Sequence, residues 1–309
     1  MTEFALAVDL GGTKVEAALV DRSGAVVPGS RSRRPTGPRA TPELLQGALI
    51  QVVRTVLSAA PDGVIGVGIG SAGPIDHAAG TISPVNMPQL HGMPLRDVVA
   101  DAVARAGHPE VPVRLGHDGG CLALAESWVG VTRDARVSLA FVVSTGIGGG
   151  FLIDGHLFAG TTGNAGHLGQ LHSDDGLSLE RVASGPASVE WAQKQGWAGA
   201  SGEELAAAAA SGDSIARAAI ERSARAIGRA LADIAALVDV EVFAVGGGFS
   251  HVADDYIELI GAGLRDFAAL SYVREARVVR SGLGGDGPLI GAAALVLRAD
   301  PASSRSELS

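Results

Sequence analysis

The residues with the clearest chemical potential lie near the N-terminus, in the sequence DLGGTK that begins at Asp9. Gly11 and Gly12 let backbone N–H groups approach phosphate oxygens. Thr13 adds a hydroxyl donor, and Lys14 adds a positive charge. Asp9, at the end of an apolar run, can hold Mg²⁺ through water. The pattern predicts a phosphate-binding turn, and a plain hairpin turn is the alternative.

Two further glycine-rich turns follow apolar runs. The first is STGIGGG, which begins at Ser144, and the second is the triplet at 246–248. Backbone N–H groups in glycine turns at strand ends can face phosphates. The STGIGGG turn, taken alone, is also compatible with a β-bulge. Together the three turns suggest a nucleotide held between two lobes.

A possible general base is Asp118, in the sequence GHDGG. It lies between a predicted strand at 113–115 and a predicted helix at 120–128. A helix N-terminus keeps a carboxylate ionised and therefore able to accept a proton. Asp is also a common helix cap, so position alone leaves both roles open.

The elements that must position these residues alternate between strands and helices. A β-hairpin, with strands at 4–10 and 15–20, surrounds the first turn, whereas a dinucleotide-binding unit would place a helix there. GIGSAG at 68–73 fits GxGxxG, but Pro74 and Gly80 interrupt the helix that should follow. No GxxxxGK[ST] pattern occurs, which excludes a P-loop kinase. The other predicted strands are at 25–27, 64–70, 137–144 and 240–245, with a further strand that ends at 153. Helices are predicted at 42–59, 94–106 and 214–238, and a hairpin turn is predicted at Asp154-Gly155.

Composition limits the partners and the compartment. The formal net charge is −9, which disfavours general nucleic-acid binding. The basic run at 31–39, which comprises Arg31, Arg33, Arg34 and Arg39, is broken by prolines. A solvated loop is favoured there over a patch for an anionic partner. Cys121 is the sole cysteine, predicted to lie in the core, and a reducing compartment fits. No signal peptide or membrane span is predicted, so we expect a cytoplasmic protein.

The order of the motifs resembles that of ROK-family sugar kinases over essentially the whole chain. In sequence order they are DLGGTK, GIGSAGPID, GHDGG, STGIGGGFLIDGHLFAG, GNAGHLGQL, LERVASG, AVGGGFS and GPLIGAAAL. The resemblance implies a two-domain α/β fold of the actin/hexokinase-like (ribonuclease H-like) ATPase type with an interdomain cleft. We expect a small domain at 1–112, with a C-terminal helix at 288–299 packed back on it, and a large domain at 113–287.

The resemblance also implies roles for individual residues. Asp118 matches the catalytic base, and Glu180 matches a sugar-binding glutamate. ATP and Mg²⁺ are the implied cofactors, with Asp9 as a Mg²⁺ ligand through water. The residues implied in nucleotide binding are Asp9, Gly11, Gly12, Thr13, Lys14, Thr145, Gly146, Gly148, Gly246, Gly247 and Gly248. Those implied in sugar binding are Gly73, His117, Asp118, His167, Gln170 and Glu180.

The chain departs from the family pattern at positions that usually meet sugar hydroxyls. His117 stands where the family has Asn, and GHLGQ at 166–170 stands where the family has Gly-Glu-x-Gly-His. The three zinc cysteines are missing between Leu171 and Leu179, so no zinc site is expected. A metal site made of His172, Asp174 and Asp175 is an alternative. A solvated loop is favoured over that site.

The predicted reaction is transfer of the γ-phosphoryl group of Mg-ATP to the 6-hydroxyl of a hexose. The changed sugar positions favour an aminohexose such as kanosamine or glucosamine. A glucokinase of relaxed specificity and a catalytically silent ROK-type sugar-binding protein are alternatives. A ROK-type repressor is disfavoured, because only eight residues precede Asp9. The expected partners are the sugar and a second copy in a homodimer.

Overall fold

The chain folds into two compact units. The first runs to Val129 and also takes in Ala159–Ala165 and the chain from Gly285, and the second comprises Gly130–Phe158 and Gly166–Gly284. The computed structural model describes residues 3–37, 39–58, 63–85, 87–172 and 176–298.

A five-stranded sheet forms the first unit. Its strands are β1 (Phe4–Leu10), β2 (Lys14–Asp21), β3 (Ser32–Pro35), β4 (Val64–Ser71) and β7 (Val113–His117), and β5 (Ile75–Asp76) and β6 (Thr81–Ile82) form a separate small sheet. The helices are α1 (Pro42–Ser58), α2 (Leu95–Arg105) and α3 (Asp118–Val129). The strand order is β3-β2-β1-β4-β7. β1 to β3 pair antiparallel, and β4 and β7 add in parallel. The unit extends past residue 112, the boundary expected from sequence, because β7 pairs with β4.

The second unit repeats this arrangement. Its strands are β8 (Val137–Val143), β9 (Ile147–Ile153), β10 (His156–Phe158), β11 (Val242–Gly246) and β12 (Arg277–Arg280). Its helices are α4 (Leu179–Ala183), α5 (Gly185–Lys194), α6 (Gly202–Ala210), α7 (Ser214–Val238), α8 (Tyr256–Phe267) and α9 (Ser271–Glu275). The order is β10-β9-β8-β11-β12, with β8 to β10 antiparallel and β11 and β12 added in parallel.

The last helix, α10 (Gly287–Leu297), returns to the first unit. Side chains alternate between the two faces of a strand, so β1 is buried on both faces. Leu6 and Val8 join the core that includes α1, whereas Ala5 and Ala7 pack with α10. Gly68 is required beneath α10, since a Cβ there would lie 1.7 Å from the carbonyl oxygen of Ala292.

Helix α7 organises the core of the second unit. The sequence-predicted bounds of 214–238 are confirmed. Asp213 caps its start, because the Asp213 Oδ1 accepts the N–H groups of Ile215 and Ala216 at 2.9 Å each. The buried stripe of α7 packs with α8, and the Ser223 hydroxyl hydrogen-bonds the Tyr256 hydroxyl at 2.7 Å.

Two predictions for the segment after the first hairpin are wrong. Residues 25–27 contribute only an isolated bridge between Val20 and Val26, and the third strand is β3. The arginine run is therefore partly an edge strand rather than a loop. Arg33 of β3 and the preceding Arg31 reach a buried carboxylate, Glu16 of β2, which holds this edge strand against its neighbour. Cys121, in contrast, is buried as predicted.

No helix within the described ranges is both long enough and apolar enough to cross a membrane.

Candidate active site

Asp118 lies at the junction where β7 ends and α3 begins. Its Oδ1 accepts the N–H of Gly119 at 2.7 Å and lies 3.2 Å from Nε2 of His117. The Asp118 side chain is 38% exposed, whereas the His117 side chain is 7% exposed. The carboxylate is thus held through one oxygen and open to solvent, as a general base requires.

Asp9 is the second carboxyl group of this region. It is the next-to-last residue of β1 and only 6% exposed. Burial is the largest cause of a raised Asp9 pKa, which reaches about 7. The charge of Asp118 also raises this pKa, Lys14 lowers it and Glu16 raises it. Asp9 and Asp118 therefore share one electrostatic environment within the first unit.

The first glycine turn connects β1 to β2. Gly11 donates its N–H to the Lys14 carbonyl at 3.0 Å, and the Thr36 hydroxyl donates to the Gly11 carbonyl at 3.0 Å. Thr13 is exposed. A Cβ at Gly12 would meet nothing within 4 Å, so the backbone is open to a ligand at this point. The turn can present N–H groups and a hydroxyl to phosphate oxygens.

Lys14, predicted as a phosphate contact, is already paired. Its Nζ forms an ion pair with the fully buried Glu16, whose Oε1 also lies 3.2 Å from Arg31 Nε and 3.1 Å from Arg33 Nη2. Burial raises the pKa of Glu16, but the hydrogen bonds from Lys14 and Arg33 outweigh it and leave the pKa below its ordinary value. Sequence reasoning missed Glu16. The available signal was the i, i+2 spacing, which puts Lys14 and Glu16 on one face of β2.

In the second unit, the turn between β8 and β9 carries the predicted Thr145 and Gly146. Ser144 donates its N–H to the Gly146 carbonyl at 2.9 Å and accepts the Gly185 N–H on its own carbonyl at 2.9 Å. Thr145 is exposed, and Gly148 lies within β9. This neutral turn is fixed through its backbone and offers a side-chain hydroxyl outward.

The predicted sugar residues of the second unit gather beside this turn. Glu180 of α4 accepts the Ile147 N–H on Oε2 at 2.8 Å. A Cβ at Gly169 would lie 2.3 Å from the Ile147 carbonyl oxygen, so the Leu168–Gln170 helical turn packs closely here. His167 precedes that turn and is half-buried, and Gln170 is exposed.

A cavity of about 640 Å³ opens next to the same turn. Gly246 ends β11, and Gly247 adopts a φ of +87°, where a Cβ would lie 2.5 Å from the Val143 carbonyl oxygen. The chain can make this turn only because Gly247 has no side chain. The lining of this cavity includes Thr145, Glu190, Glu203 and Gly248.

Gly73, the remaining predicted sugar contact, is buried just after β4. The Gly73–Pro74 peptide is cis. Ile75 is clasped by Asn164, which accepts the Ile75 N–H on Oδ1 and donates from Nδ2 to the Ile75 carbonyl, both at 2.8 Å. Asn164 was not predicted, because a contact across 89 residues leaves no local signal.

The predicted residues thus form two groups. Asp9, the 11–14 turn, Gly73, His117 and Asp118 lie in the first unit, and the remaining predicted residues lie in the second. Within the described residues, no cluster of three His, Cys, Asp or Glu side chains offers a metal site. Asp174 and Asp175, considered with His172 as an alternative metal site, lie outside the described residues.

Known proteins share the fold of this chain and identify its family. The fold is that of ROK hexokinase-like structures. A ROK family glucokinase from Streptomyces griseus, solved with glucose and AMPPNP, matches with a TM-score of 0.81 and 29% identity, over 96% of this chain and 100% of that one. The ROK family profile matches residues 5–299, and the chain belongs to the ROK family.

Curated relatives agree with that assignment. An N-acetylmannosamine kinase of Salmonella typhimurium is 33% identical over 266 residues, which cover 83% of this chain and 87% of that protein. A glucokinase of Streptomyces coelicolor is 29% identical over 96% of this chain and 98% of that protein. These comparisons support a sugar-kinase function.

Proposed function

We propose that the chain is an ATP-dependent sugar kinase that phosphorylates the 6-hydroxyl of a hexose, with Asp118 as its general base. The observation that carries the proposal is the Asp118 carboxylate, anchored through Oδ1 at the start of α3 and half-exposed. A kinase needs such a base close to the accepting hydroxyl, and it does the rest by positioning and charge stabilisation.

The nucleotide is assigned to the glycine turns. The cavity beside Thr145 and Gly248 has room for an adenosine. The open backbone at Gly12 and the exposed Thr13 hydroxyl suit the phosphates. The AMPPNP in the Streptomyces griseus glucokinase supports ATP as the donor.

The residues present fit a divalent cation. Asp9 and Asp118 repel each other, which contributes to the raised pKa of Asp9, and a dication relieves such repulsion. We place Mg²⁺ near Asp9, bound through water, as hard cations prefer oxygen ligands. When bound, it supplies neutralisation of the phosphate charge.

In the proposed reaction, Asp118 accepts the proton of the sugar 6-hydroxyl. The hydroxyl oxygen then forms a bond to the γ-phosphorus as the bond to the leaving ADP oxygen breaks. Within the described part of the chain, no hydrogen bond involves Asp118 Oδ2, so this oxygen is the proton acceptor. Backbone N–H groups of the glycine turns stabilise the phosphate oxygens.

For the sugar, we propose an aminohexose. Glu180, with Oε2 held by Ile147, keeps Oε1 for a sugar hydroxyl. His167 and Gln170, beside it, replace a glutamate and a histidine of the family pattern. Histidine can donate to or accept from an amine or its acyl derivative. The likeness to N-acetylmannosamine kinase supports this class. The likeness to glucokinase favours the alternative, a glucokinase of relaxed specificity.

ADP release over a panel of sugars tests the proposal. The panel comprises glucose, mannose, N-acetylmannosamine, glucosamine and kanosamine, with ³¹P NMR to locate the new phosphate ester. We expect an aminohexose to give the highest kcat/KM and a 6-phosphate as product. Binding of sugars without ADP release would point instead to a catalytically silent sugar-binding protein. The expected homodimer remains a prediction, which light scattering can check.

A further inference from the structure

A groove of about 500 Å³ runs beside α7 in the second unit and shares no lining residue with the cavity proposed for adenosine. Its lining includes three large apolar side chains that are exposed to solvent, namely Leu171, Leu237 and Phe267. Leu237 is 85% exposed, although it belongs to the helix that organises the core of this unit. Clustered apolar side chains of this kind mark a surface that another molecule covers.

Three arginines of α7 line the same groove, and printed contacts fix where their guanidinium groups lie. The guanidinium carbons of Arg225 and Arg229 lie 4.8 and 5.5 Å from the centre of the Phe267 ring. Arg222 donates from Nη1 to a backbone carbonyl of α4 at 2.7 Å. Arg225 also forms an ion pair with Asp266 at 3.0 Å. The groove therefore combines apolar walls with positive charge held at definite places.

The part of α7 that lines the groove carries its residues in a self-complementary order. Five residues follow one another at steps of three and four, so they lie on one face of the helix, and none of them is buried. In chain order they are Arg222, Ala226, Arg229, Asp233 and Leu237. If a second α7 packs antiparallel across a two-fold axis at the level of Leu231, Arg229 of each copy comes level with Asp233 of the other. The same axis brings Arg225 level with Leu237.

We infer that this face of α7, together with the groove, is the surface on which a second copy of the chain docks in an antiparallel, two-fold arrangement. Each Arg229 then pairs with Asp233 of the other copy, and each Leu237 packs on the alkyl part of Arg225. The interface is thus apolar and charge-paired at once.

Charge favours a second copy over other occupants. A small anionic ligand would be attracted by the three arginines but repelled by Asp233, whereas a second copy matches both signs. The chain carries a net charge of −9, so two copies repel each other over most of their surface. In the lining of this groove, arginines outnumber acids, so the repulsion is relieved where the two copies would meet.

Light scattering over a range of protein concentrations tests the inference. Wild type should reach twice the chain mass of 31.0 kDa. Leu237→Glu should raise the dimer Kd by roughly ten-fold or more, because it places an unpaired charge in the interface. Asp233→Arg sets arginine against arginine and should weaken the dimer by a similar factor of roughly ten-fold. Arg229→Glu combined with Asp233→Arg exchanges the two charges and should restore Kd to within about three-fold of wild type.

Leu44→Glu is the matched control, since Leu44 is an exposed leucine on a helix of the first unit, α1. It should leave Kd unchanged. Thermal melting of every variant identifies a loss that comes from unfolding. If Leu237→Glu fails to fold, Asp233→Arg and the double variant carry the test, because residue 233 is exposed and its replacement disturbs no core contact.

The outcomes are distinct. A wild type that stays monomeric at every concentration would overturn the inference, and a melting temperature raised by dodecanoate would then assign the groove to an anionic amphiphile. A dimer that Leu237→Glu and Asp233→Arg leave intact would use another face and would overturn it as well. So would a double variant as weak as Asp233→Arg, because the two charges would then not face each other. No readout uses ATP or a sugar, so the result is independent of the proposed sugar-kinase function.

Discussion

The two units use one sheet topology to present different chemistry. In both, a three-stranded antiparallel meander is extended by two parallel strands in the same order. The turn after the first strand follows an acid, Asp9, and leads to Lys14 in the first unit. The equivalent turn in the second unit, Ser144 to Gly146, has no ionisable side chain. The strand order is the same in both units, but the ionisable residues at the turn are present only in the first.

This difference indicates a division of labour. The first unit holds two interacting carboxyl groups, Asp9 and Asp118, to which the proposed mechanism assigns proton transfer and cation binding. The second offers backbone N–H groups, a hydroxyl and a cavity whose lining includes Glu190 and Glu203, with Glu180 held by a backbone amide. Substitutions of the two carboxyl groups should therefore change kcat and pH dependence, and substitutions of the proposed sugar-binding residues of the second unit should change KM and specificity.

The largest effect should come from Asp118→Asn. An amide cannot accept the hydroxyl proton, and loss of a general base costs about 10²- to 10⁴-fold in rate. We expect kcat, measured by ADP release, to fall by that factor, while the melting temperature and ATP affinity stay near wild type.

Asp101→Asn is the matched control for that experiment, since Asp101 is an exposed acid of α2 in the same unit. It should leave kcat unchanged. Near-wild-type turnover in Asp118→Asn would remove Asp118 from the mechanism and, with it, the assignment of proton transfer to the first unit.

The next effect concerns pH and Asp9. Its pKa is raised from 3.8 to about 7 in the fold, so the folded state binds a proton more tightly than the unfolded chain. The resulting stability is fully present below about pH 3.8 and is lost as pH rises to about 7. The loss amounts to at most about 4 kcal/mol, at 1.36 kcal/mol per unit.

Comparison of wild type with Asp9→Asn isolates this contribution. Other carboxyl groups, such as Glu16 with its lowered pKa, act in the opposite direction and cancel in the difference. The free energy of unfolding of wild type minus that of Asp9→Asn, from urea titrations, should fall between pH 4 and pH 8. In an Asp118→Asn background the fall should be smaller, because Asp118 is the second cause of the shift. A flat difference would contradict the raised pKa.

The fold was largely predictable because its signals are local. The apolar run of β1 and the 3.6-residue period of α7 set their bounds. The location of Asp118 was also predictable, since an apolar run stops where glycines begin. These features depend only on residues close together in the chain.

The missed features depend on distant contacts. The apolar residues 25–27 look more like a strand than the charged β3, but Arg33 of β3 and the preceding Arg31 both reach the buried Glu16. The clasp of Ile75 by Asn164 joins residues 89 apart. Likewise, the sequence shows His117 next to Asp118, but only the fold shows that the His117 side chain is buried and the Asp118 side chain is half-exposed. Side-chain partners of this kind are set by tertiary structure.

A smaller effect distinguishes two neighbouring glycines of the second unit. Gly247→Ala should destabilise the fold by about 1–3 kcal/mol, because a Cβ at φ +87° would lie 2.5 Å from the Val143 carbonyl oxygen. Gly248→Ala meets nothing within 4 Å in the protein and should leave the melting temperature unchanged. Because Gly248 lines the cavity, its added methyl group should raise KM for ATP several-fold.

Gly12→Ala tests ATP binding at the turn of the first unit in the same way, since a Cβ there also meets nothing within 4 Å. A raised KM for ATP in both Gly12→Ala and Gly248→Ala, without a change in melting temperature, would place the nucleotide at both turns. An unchanged KM in Gly248→Ala would remove the adenosine from the cavity of the second unit.

The smallest expected effect is a change of sugar preference in His167→Glu. The substitution restores the glutamate of the family pattern next to the helical turn Leu168–Gln170. A buried hydrogen bond that is lost or regained is worth about 1–3 kcal/mol, so the ratio of kcat/KM for aminohexose over glucose should fall by roughly ten-fold. The change should appear in KM, because the second unit is expected to bind the sugar and not to take its proton.

His172→Glu is the matched control for this last experiment, because it makes the same change at an exposed position close to the same turn. If both variants shift the ratio equally, the general negative charge is responsible and not a contact at residue 167. If glucose is already the best substrate of wild type, or His167→Glu leaves the ranking unchanged, the aminohexose proposal fails. The kinase proposal would stand in either case, because it depends on Asp118 in the first unit, and specificity would then have to be sought at Glu180 or Gly73.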